Sequence, residues 1–192
     1  MGRAVRLWCL SGVAAAVLAW AVIAAAWLRN PWFDVFDDAF SDLGVPGQAR
    51  DAWIYNYGLM ATGTLTVIYG LFVYRWAESK LEALAAGWLM IAGVFLALIG
   101  VYPGGTRPHV FVSTWFFIQM DLALIPLLYS LWRRRGFRLA MPAFAAAVLA
   151  FPMFILVEYT VGWPSVAIGE AYGIIIIDYA VLTATVAQCR GV

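Results

Sequence analysis

The sequence predicts an all-α integral membrane protein, a bundle of six transmembrane helices forming one transmembrane domain over residues 1–192. Of its 192 residues, 65% are hydrophobic and 12% are charged, whereas an ordinary globular domain is about 45–50% apolar. The apolar residues also form long continuous runs without the two-residue alternation of membrane strands. Because one small core cannot hide this much apolar surface, a bilayer is the expected solvent.

Composition also excludes several classes of protein. The 12 basic and 11 acidic residues nearly cancel, so no basic face for nucleic acid is expected. One histidine and two cysteines exclude a disulfide framework and a His-rich zinc or di-iron site. We therefore expect no metal and no cofactor. Membrane lipids are the expected partners, and the sequence is also compatible with a homo-oligomer.

A spanning helix needs roughly 20 mostly apolar residues. Six stretches meet this requirement, namely 4–28, 53–74, 83–102, 110–132, 139–161 and 166–188. Arg3 and Arg6 precede the first stretch, as in a signal peptide. Its apolar run is longer than the roughly 7–15 residues of a signal sequence, so we expect a retained helix.

Small residues and prolines predict how these spans pack. Small residues recur every fourth position of the second span, at Gly58, Thr62, Thr66 and Gly70. Such a stripe lets a neighbouring helix approach closely. The fourth and fifth spans contain Pro126, Pro142 and Pro152, each of which removes a backbone donor and tends to kink its helix.

The basic residues predict the orientation. Nine lie on the side of the termini: Arg3, Arg6, Arg75, Lys80, Arg133, Arg134, Arg135, Arg138 and Arg190. Three lie on the other side: Arg29, Arg50 and Arg107. Under the positive-inside rule, both termini of this cell-membrane protein are cytoplasmic. Cys9 and Cys189 then lie near the cytoplasmic face, where we expect packing residues and no structural disulfide.

The first external loop predicts a short amphipathic helix. Asn30 is a suitable cap for a helix that begins at Pro31. One face of that helix would be apolar, formed by Trp32, Phe33, Phe36, Phe40 and Leu43. The opposite face would be polar, formed by Asp34, Asp37, Asp38, Ser41 and Asp42. Such a segment would lie on the outer membrane surface or over the mouth of the bundle.

A set of polar residues is predicted at one depth near the external ends of the spans. Its members are Asn56, Arg107, His109, Ser113, Glu158 and Glu170. Charged side chains in lipid cost about 2.5–3.5 kcal/mol on insertion scales, so each calls for an explanation. One explanation is an outer-leaflet pocket for a lipid headgroup or small ligand, closed by Ser41 and Asp42. The other is a structural latch in which these groups satisfy one another.

Two acidic residues are predicted deeper in the membrane. Asp121 lies 12 residues after His109, and Asp178 lies 12 residues after Val166. Both should therefore sit about 18 Å below the external ends. They could form the proton relay of a transporter, or each could be neutral and hydrogen-bonded to a neighbouring helix. Since no basic partner is expected at that depth, the second explanation is favoured.

Catalytic patterns are weak in this chain. Ser41, Asp42 and His109 supply the residue types of a nucleophilic triad, but no G-x-S-x-G elbow surrounds Ser41. The sequence therefore favours a lipid- or ligand-binding protein over a membrane-embedded lipid hydrolase or transferase that uses His109. It is also compatible with a proton-coupled transporter and with a structural or assembly protein.

Several motifs resemble a prokaryotic, largely archaeal, family of six-span membrane proteins of unknown function. They are Asn30-Pro31-Trp32-Phe33, Ser41-Asp42-Leu43-Gly44, Tyr55-Asn56-Tyr57-Gly58, Gly100-Val101-Tyr102-Pro103 with His109 and Ser113, and Ala167-Ile168-Gly169-Glu170. The family has Phe at the positions of Tyr55 and Tyr102, and Pro at that of Gly169. A more distant similarity is to autophagy-modulator and anchor-lipid-remodelling membrane proteins. The resemblance implies six spans and a shared external site, and the distant similarity implies lipid handling.

Overall fold

The computed structural model describes residues 8–190, apart from the side chain of Arg190, and over that range it is helical without a β-strand. Its helices are α1 (Ser11–Arg29), α2 (Trp53–Arg75), α3 (Lys80–Val101), α4 (His109–Arg133), α5 (Ala140–Thr160) and α6 (Val166–Arg190). Each is long and apolar enough to cross a membrane, which confirms the six predicted spans. The start of the first predicted span, with Arg3 and Arg6, lies outside the described residues.

Five helices form a ring and the sixth packs outside it. Successive helices from α1 to α4 are neighbours, and α6 closes the ring by contacting both α1 and α4. Helix α5 packs on the outer side, between α4 and α6. It buries four small side chains against them: Ala140, Ala143, Ala147 and Ala150. We call the end of the ring beside Cys9 and Cys189 the terminal end, and the opposite end, below residues 30–52, the long-loop end.

Glycines allow the ring helices to approach closely. Gly58 packs against Val22 of α1, and Gly70 packs against Met90 of α3. The predicted stripe therefore admits a helix on each of its two sides. A closer crossing, which the sequence pattern did not predict, pairs Gly63 of α2 with Gly93 of α3, where a Cβ on either residue would overlap the other helix's backbone.

The prolines differ in position from the prediction. Pro126 and Pro152 lie inside α4 and α5, as expected. Pro142 instead lies in the first turn of α5, where the backbone amide has no helical partner in any case. Two of the three prolines therefore remove an internal helical hydrogen bond.

A buried ion pair fixes the terminal end of α3 to the segment after α4. Arg135 bonds the Glu82 carboxylate at 2.6 Å, and the Glu82 side chain is 1% exposed. Ser130 donates to the same carboxylate at 2.9 Å, and the amide of Glu78 donates to it at 2.8 Å. The sequence signal is the Ser-x-x-Glu capping box at Ser79, whose hydroxyl accepts from the amide of Glu82.

The expectation that the cysteines are unpaired packing residues is wrong. Cys9 and Cys189 form a disulfide, and their Cα atoms are 6.1 Å apart. An even number of antiparallel helices brings both ends of the chain to one face, and contact between α1 and α6 then brings the two residues together. The disulfide thus closes the ring covalently at its terminal end.

Two glycines of α3 provide a matched test of the close crossing. We expect Gly93→Ala to destabilise the protein by about 1–3 kcal/mol, because its Cβ would meet the backbone of α2. In contrast, Gly87→Ala adds a Cβ into open space and should be neutral or stabilising by up to about 1 kcal/mol. Thermal unfolding in detergent measures both. Equal melting temperatures for the two variants would contradict the crossing.

Candidate binding site

Residues 30–52 form one long loop, and its structure contradicts the prediction of an amphipathic helix. Residues 31–38 are turns and bends, and helical structure is confined to a 3-10 helix at Phe40–Gly44. Asn30 does not begin a new helix but ends α1 as its C-cap, and its side chain donates to the carbonyl of Ala26 at 2.9 Å. Its side chain bonds both the amide and the carbonyl of Arg50, which draws the two ends of the loop together. This closure favours a compact turn over a straight helix.

The apolar residues of the long loop are divided between core and surface. Phe33, Phe40 and Leu43 are buried, as the predicted apolar face requires. Trp32 and Phe36 are exposed. A salt bridge of 2.7 Å from Arg29 to Asp51 ties the end of α1 to the end of the loop, and the hydrogen bond from Arg29 lowers the pKa of Asp51.

Three hydrogen bonds dock the long loop on the start of α6. Ser165 donates from Oγ to the carbonyl of Val35 at 2.6 Å. The amide of Ala167 donates to the carbonyl of Asp38 at 3.0 Å. The amide of Phe40 donates to Oε2 of Glu170 at 2.9 Å. Helix N-termini have unpaired backbone donors. The loop carbonyl of Asp38 accepts from one of these donors, and the Glu170 carboxylate of α6 accepts from a loop amide.

A narrow cavity runs through the centre of the ring. Its volume is about 100 Å³, and among its lining residues none comes from α5. We call it the central cavity. Its walls are mainly apolar, but five polar side chains line it near the long-loop end: Ser41, Tyr55, His109, Ser113 and Glu170. Of the polar set expected near the external ends, His109, Ser113 and Glu170 thus line one cavity together with Ser41.

His109 is held by its own helix–turn region. Its Nδ1 lies 2.8 Å from the carbonyl oxygen of Tyr102. Since a carbonyl oxygen can only accept, Nδ1 must carry a proton, and in the neutral ring Nε2 is the acceptor. The side chain is buried, so its orientation is fixed beside the cavity.

The catalytic triad considered from sequence is not assembled. Nδ1 of His109 pairs with a backbone carbonyl, where a triad would require a carboxylate. Asp42 accepts the amide of Ala39 and caps the 3-10 helix. Within residues 8–190, Ser41 forms no side-chain hydrogen bond with His109. Ser41 and Asp42 are adjacent in sequence, and Ser41 and His109 line the same cavity. The three side chains nevertheless lack the chain of hydrogen bonds that activates a nucleophile.

Asn56 and Arg107 of the predicted polar set do not line the central cavity. Asn56 donates to the carbonyl of Gly44 at 2.9 Å and so anchors the 3-10 helix to α2. Arg107 is exposed. Among the described residues, no salt bridge links Arg107, Glu158 or Glu170. The latch that exists is thus made of side chain to backbone bonds, without the mutual ion network considered from sequence.

A larger groove opens on the side of the bundle, between α4, α5 and α6. Its volume is about 650 Å³, and we call it the lateral groove. Polar side chains line it at Asp37, Ser113, Thr114, Asp121, Glu158, Ser165, Glu170 and Tyr172. Apolar side chains line it at Phe117, Ile118, Ala150, Phe151, Phe154, Trp163, Val166, Ile176 and Ile177. Glu158 of the predicted set therefore belongs to this groove.

The lateral groove and the central cavity share a wall. Four side chains line both spaces: Ser113, Phe117, Glu170 and Ile177. Glu170 thus touches the groove, the cavity and the docked loop. Its position makes it the residue through which all three regions are connected.

The two deep acids occupy different spaces. Asp178 lines the central cavity and accepts a hydrogen bond of 2.7 Å from Nε1 of Trp20 on α1. Asp121 lines the lateral groove, and it has no side-chain hydrogen bond among the described residues. A direct relay between these carboxylates is therefore not formed. Asp178 follows the interhelical hydrogen-bond explanation, whereas Asp121 faces the groove.

The structure shows a cluster of aromatic side chains beside the groove that the sequence analysis did not identify as part of a site. Trp163 stacks on Phe154 with ring centroids 5.3 Å apart, and Tyr172 lies 5.2 Å from Trp163. Phe154 and Glu158 are four residues apart, so they share one face of α5. This spacing is the sequence feature that could have indicated a site here.

Within residues 8–190, no group of three or more His, Cys, Asp or Glu side chains is arranged to hold a metal ion. The polar groups of the groove are instead spread over three helices and the long loop. Such spacing suits an extended organic ligand better than a compact ion.

Comparison with known proteins gives a family assignment. Residues 13–187 match DUF998, a family described as protein of unknown function. The chain belongs to the DUF998 family. The match covers most of the sequence and confirms the resemblance to a domain-of-unknown-function family. The chain matches no curated protein and no solved structure.

Removing the Glu170 carboxylate should release the long loop. We expect Glu170→Ala to leave the amide of Phe40 without its acceptor, at a cost of about 1–3 kcal/mol. Hydrogen exchange over residues 36–45 should then become faster. Glu170→Gln keeps a carbonyl acceptor and should exchange close to the wild-type rate. The control is Glu158→Ala, because Glu158 is exposed and forms no side-chain hydrogen bond among the described residues. Faster exchange over residues 36–45 in the Glu158→Ala variant would contradict this role of Glu170.

Proposed function

We propose that this DUF998 protein binds a membrane amphiphile in the lateral groove, with the polar end of the ligand toward the long loop. The observation that carries the proposal is the size and lining of the groove. Its volume of about 650 Å³ falls within the usual range for ligand sites, about 300–1,000 Å³. The central cavity, at about 100 Å³, is too small for such a molecule.

The depth of the groove supports an amphiphile over a water-soluble ligand. Glu158 and Ser165 line its upper part near the long-loop end, and Asp121 and Ile176 line its deeper part. At the helical rise, Asp121 lies about 18 Å below the start of α4. This distance is more than half of a hydrocarbon core of about 30 Å. A ligand that fills the groove therefore needs an apolar tail.

The distribution of polar groups supports a bound molecule over simple contact with bulk lipid. An unpaired carboxylate facing acyl chains costs about 2.5–3.5 kcal/mol on insertion scales. Asp121 nevertheless lines the groove in the middle of α4. A ligand with a polar group, or water carried with it, would reduce this cost. The proposal thus moves from the pocket of Asn56 and His109 expected from sequence to the groove that contains Glu158 and Asp121.

Filling the groove from α4 should displace the ligand. Ile118 lines the groove, whereas Leu122, one turn further along the same helix, is exposed and does not. We expect Ile118→Trp to reduce the amount of copurified amphiphile about tenfold, equivalent to about 1.4 kcal/mol. We expect Leu122→Trp to retain the wild-type amount. Native mass spectrometry of protein purified in dodecyl maltoside measures both, and equal retention in the two variants would exclude this groove.

We further propose that the long-loop end faces outside the cell. The support is charge: Arg75, Lys80, Arg133, Arg134, Arg135 and Arg138 lie toward the terminal end, against Arg29, Arg50 and Arg107 toward the other. The disulfide favours the opposite orientation, because disulfides persist in oxidising compartments. Short basic loops determine the orientation in which the chain inserts during synthesis, and the proposal rests on this charge bias.

Reporter fusions test this orientation. Green fluorescent protein at the C-terminus should fluoresce, because that end lies in the cytoplasm. Alkaline phosphatase inserted at Gly47, an exposed turn residue with φ of 88°, should be active. An inactive phosphatase together with a dark C-terminal fusion would reverse the assignment.

A further inference from the structure

We infer that the head of the bound amphiphile is an ammonium group. This inference rests on the proposed function and specifies the ligand class of the same groove. It is carried by two features that meet at the groove, an aromatic cluster and a set of carboxylates without a basic partner. Both surround one continuous space of about 650 Å³.

The aromatic cluster lies at the upper part of the groove. Trp163 is stacked on Phe154 and flanked by Tyr172, and all three side chains line the groove. Two hydrogen bonds hold the rings in place, one from Trp163 to the carbonyl of Phe154 and one from Tyr172 to the carbonyl of Ala150. Electron-rich aromatic faces attract ammonium groups and are the common way to bind quaternary amines.

The ionisable side chains of the groove are all acidic. Four carboxylates line it, at Asp37, Asp121, Glu158 and Glu170, and no Lys, Arg or His is among its lining residues. Among the described residues, none of the four is in a salt bridge. Asp121 and Glu158 also form no side-chain hydrogen bond there. A cationic head would pair with these acidic side chains, whereas a sulfate or phosphate head would find no basic side chain in the groove to bind it.

The two features match the two ends of one ligand. A head beside Glu158 and Trp163 would lie near the long-loop end, and its tail would extend along Ile118 and Ile176 toward Asp121. The ammonium ion alone would gain little from the apolar walls. An alkane without a head would leave the carboxylates unpaired. The groove therefore fits an ammonium group joined to an alkyl chain.

The test compares two probes that share one tail, tetradecyltrimethylammonium and tetradecyl sulfate, each titrated onto the full-length protein in dodecyl maltoside. Native mass spectrometry measures the protein–probe complex. We expect wild-type protein to retain the cation about tenfold more than the sulfate. The double variant Asp121→Asn, Glu158→Gln should lower retention of the cation about tenfold, because both carboxylates lose their charge while keeping their shape.

Asp34→Asn is the matched control. It removes one exposed charge from the long loop outside the groove and preserves the oxygen that accepts the amide of Phe36. Its retention of the cation should equal that of the wild-type protein. Unchanged retention in the double variant, with a wild-type melting temperature, would overturn the ammonium assignment.

The outcomes separate this inference from the proposed function. If wild-type protein retains both probes equally and Ile118→Trp loses both, the groove binds amphiphiles without selecting ammonium, and only the present inference fails. If wild-type protein retains neither probe, and no copurified amphiphile either, the proposed function fails as well.

Discussion

The docking of the long loop on the first turns of α6 determines the arrangement of the long-loop end. Glu170 accepts the amide of Phe40, while Ser165 and Ala167 bond the loop carbonyls of Val35 and Asp38. These bonds satisfy polar backbone groups that would otherwise be unpaired near lipid. Glu170 also lines both the central cavity and the lateral groove, so it belongs to the docked loop and to the wall between the two spaces. Both spaces therefore depend on one small set of hydrogen bonds.

The sequence predicts the depth of residues much better than their direction around a helix axis. Ser41, His109, Ser113 and Glu170, which the threading of six spans brings near the external ends, all line the central cavity. Depth follows from counting residues at a fixed rise. Direction depends on how each helix rotates against its neighbours, which the weakly amphipathic spans do not encode. For this reason Asp121 and Asp178, predicted at equal depth, line different spaces.

Other errors have similar physical causes. The apolar pattern of the long loop fits a helix, but Asn30 bonds across the loop to Arg50 and favours turns. The prediction of cytoplasmic termini argued against a disulfide, while contact between α1 and α6 brings the two cysteines together in one. From sequence, Glu82 is a helix-capping position and Arg135 is a charge that sets the topology. In the structure these two residues, 53 positions apart, form a buried ion pair. Each case requires knowledge of a long-range contact.

The outer helix fully buries only small side chains. The residues that α5 buries are Ala140, Ala143, Ala147 and Ala150, which offer little surface for dispersion attraction compared with leucine or phenylalanine. One side of the lateral groove is therefore formed by the span with the smallest buried share, 22% of its most apolar window. Separation of α5 from α4 would open a portal in the plane of the bilayer, so an amphiphile could enter sideways from the surrounding leaflet without first crossing into water.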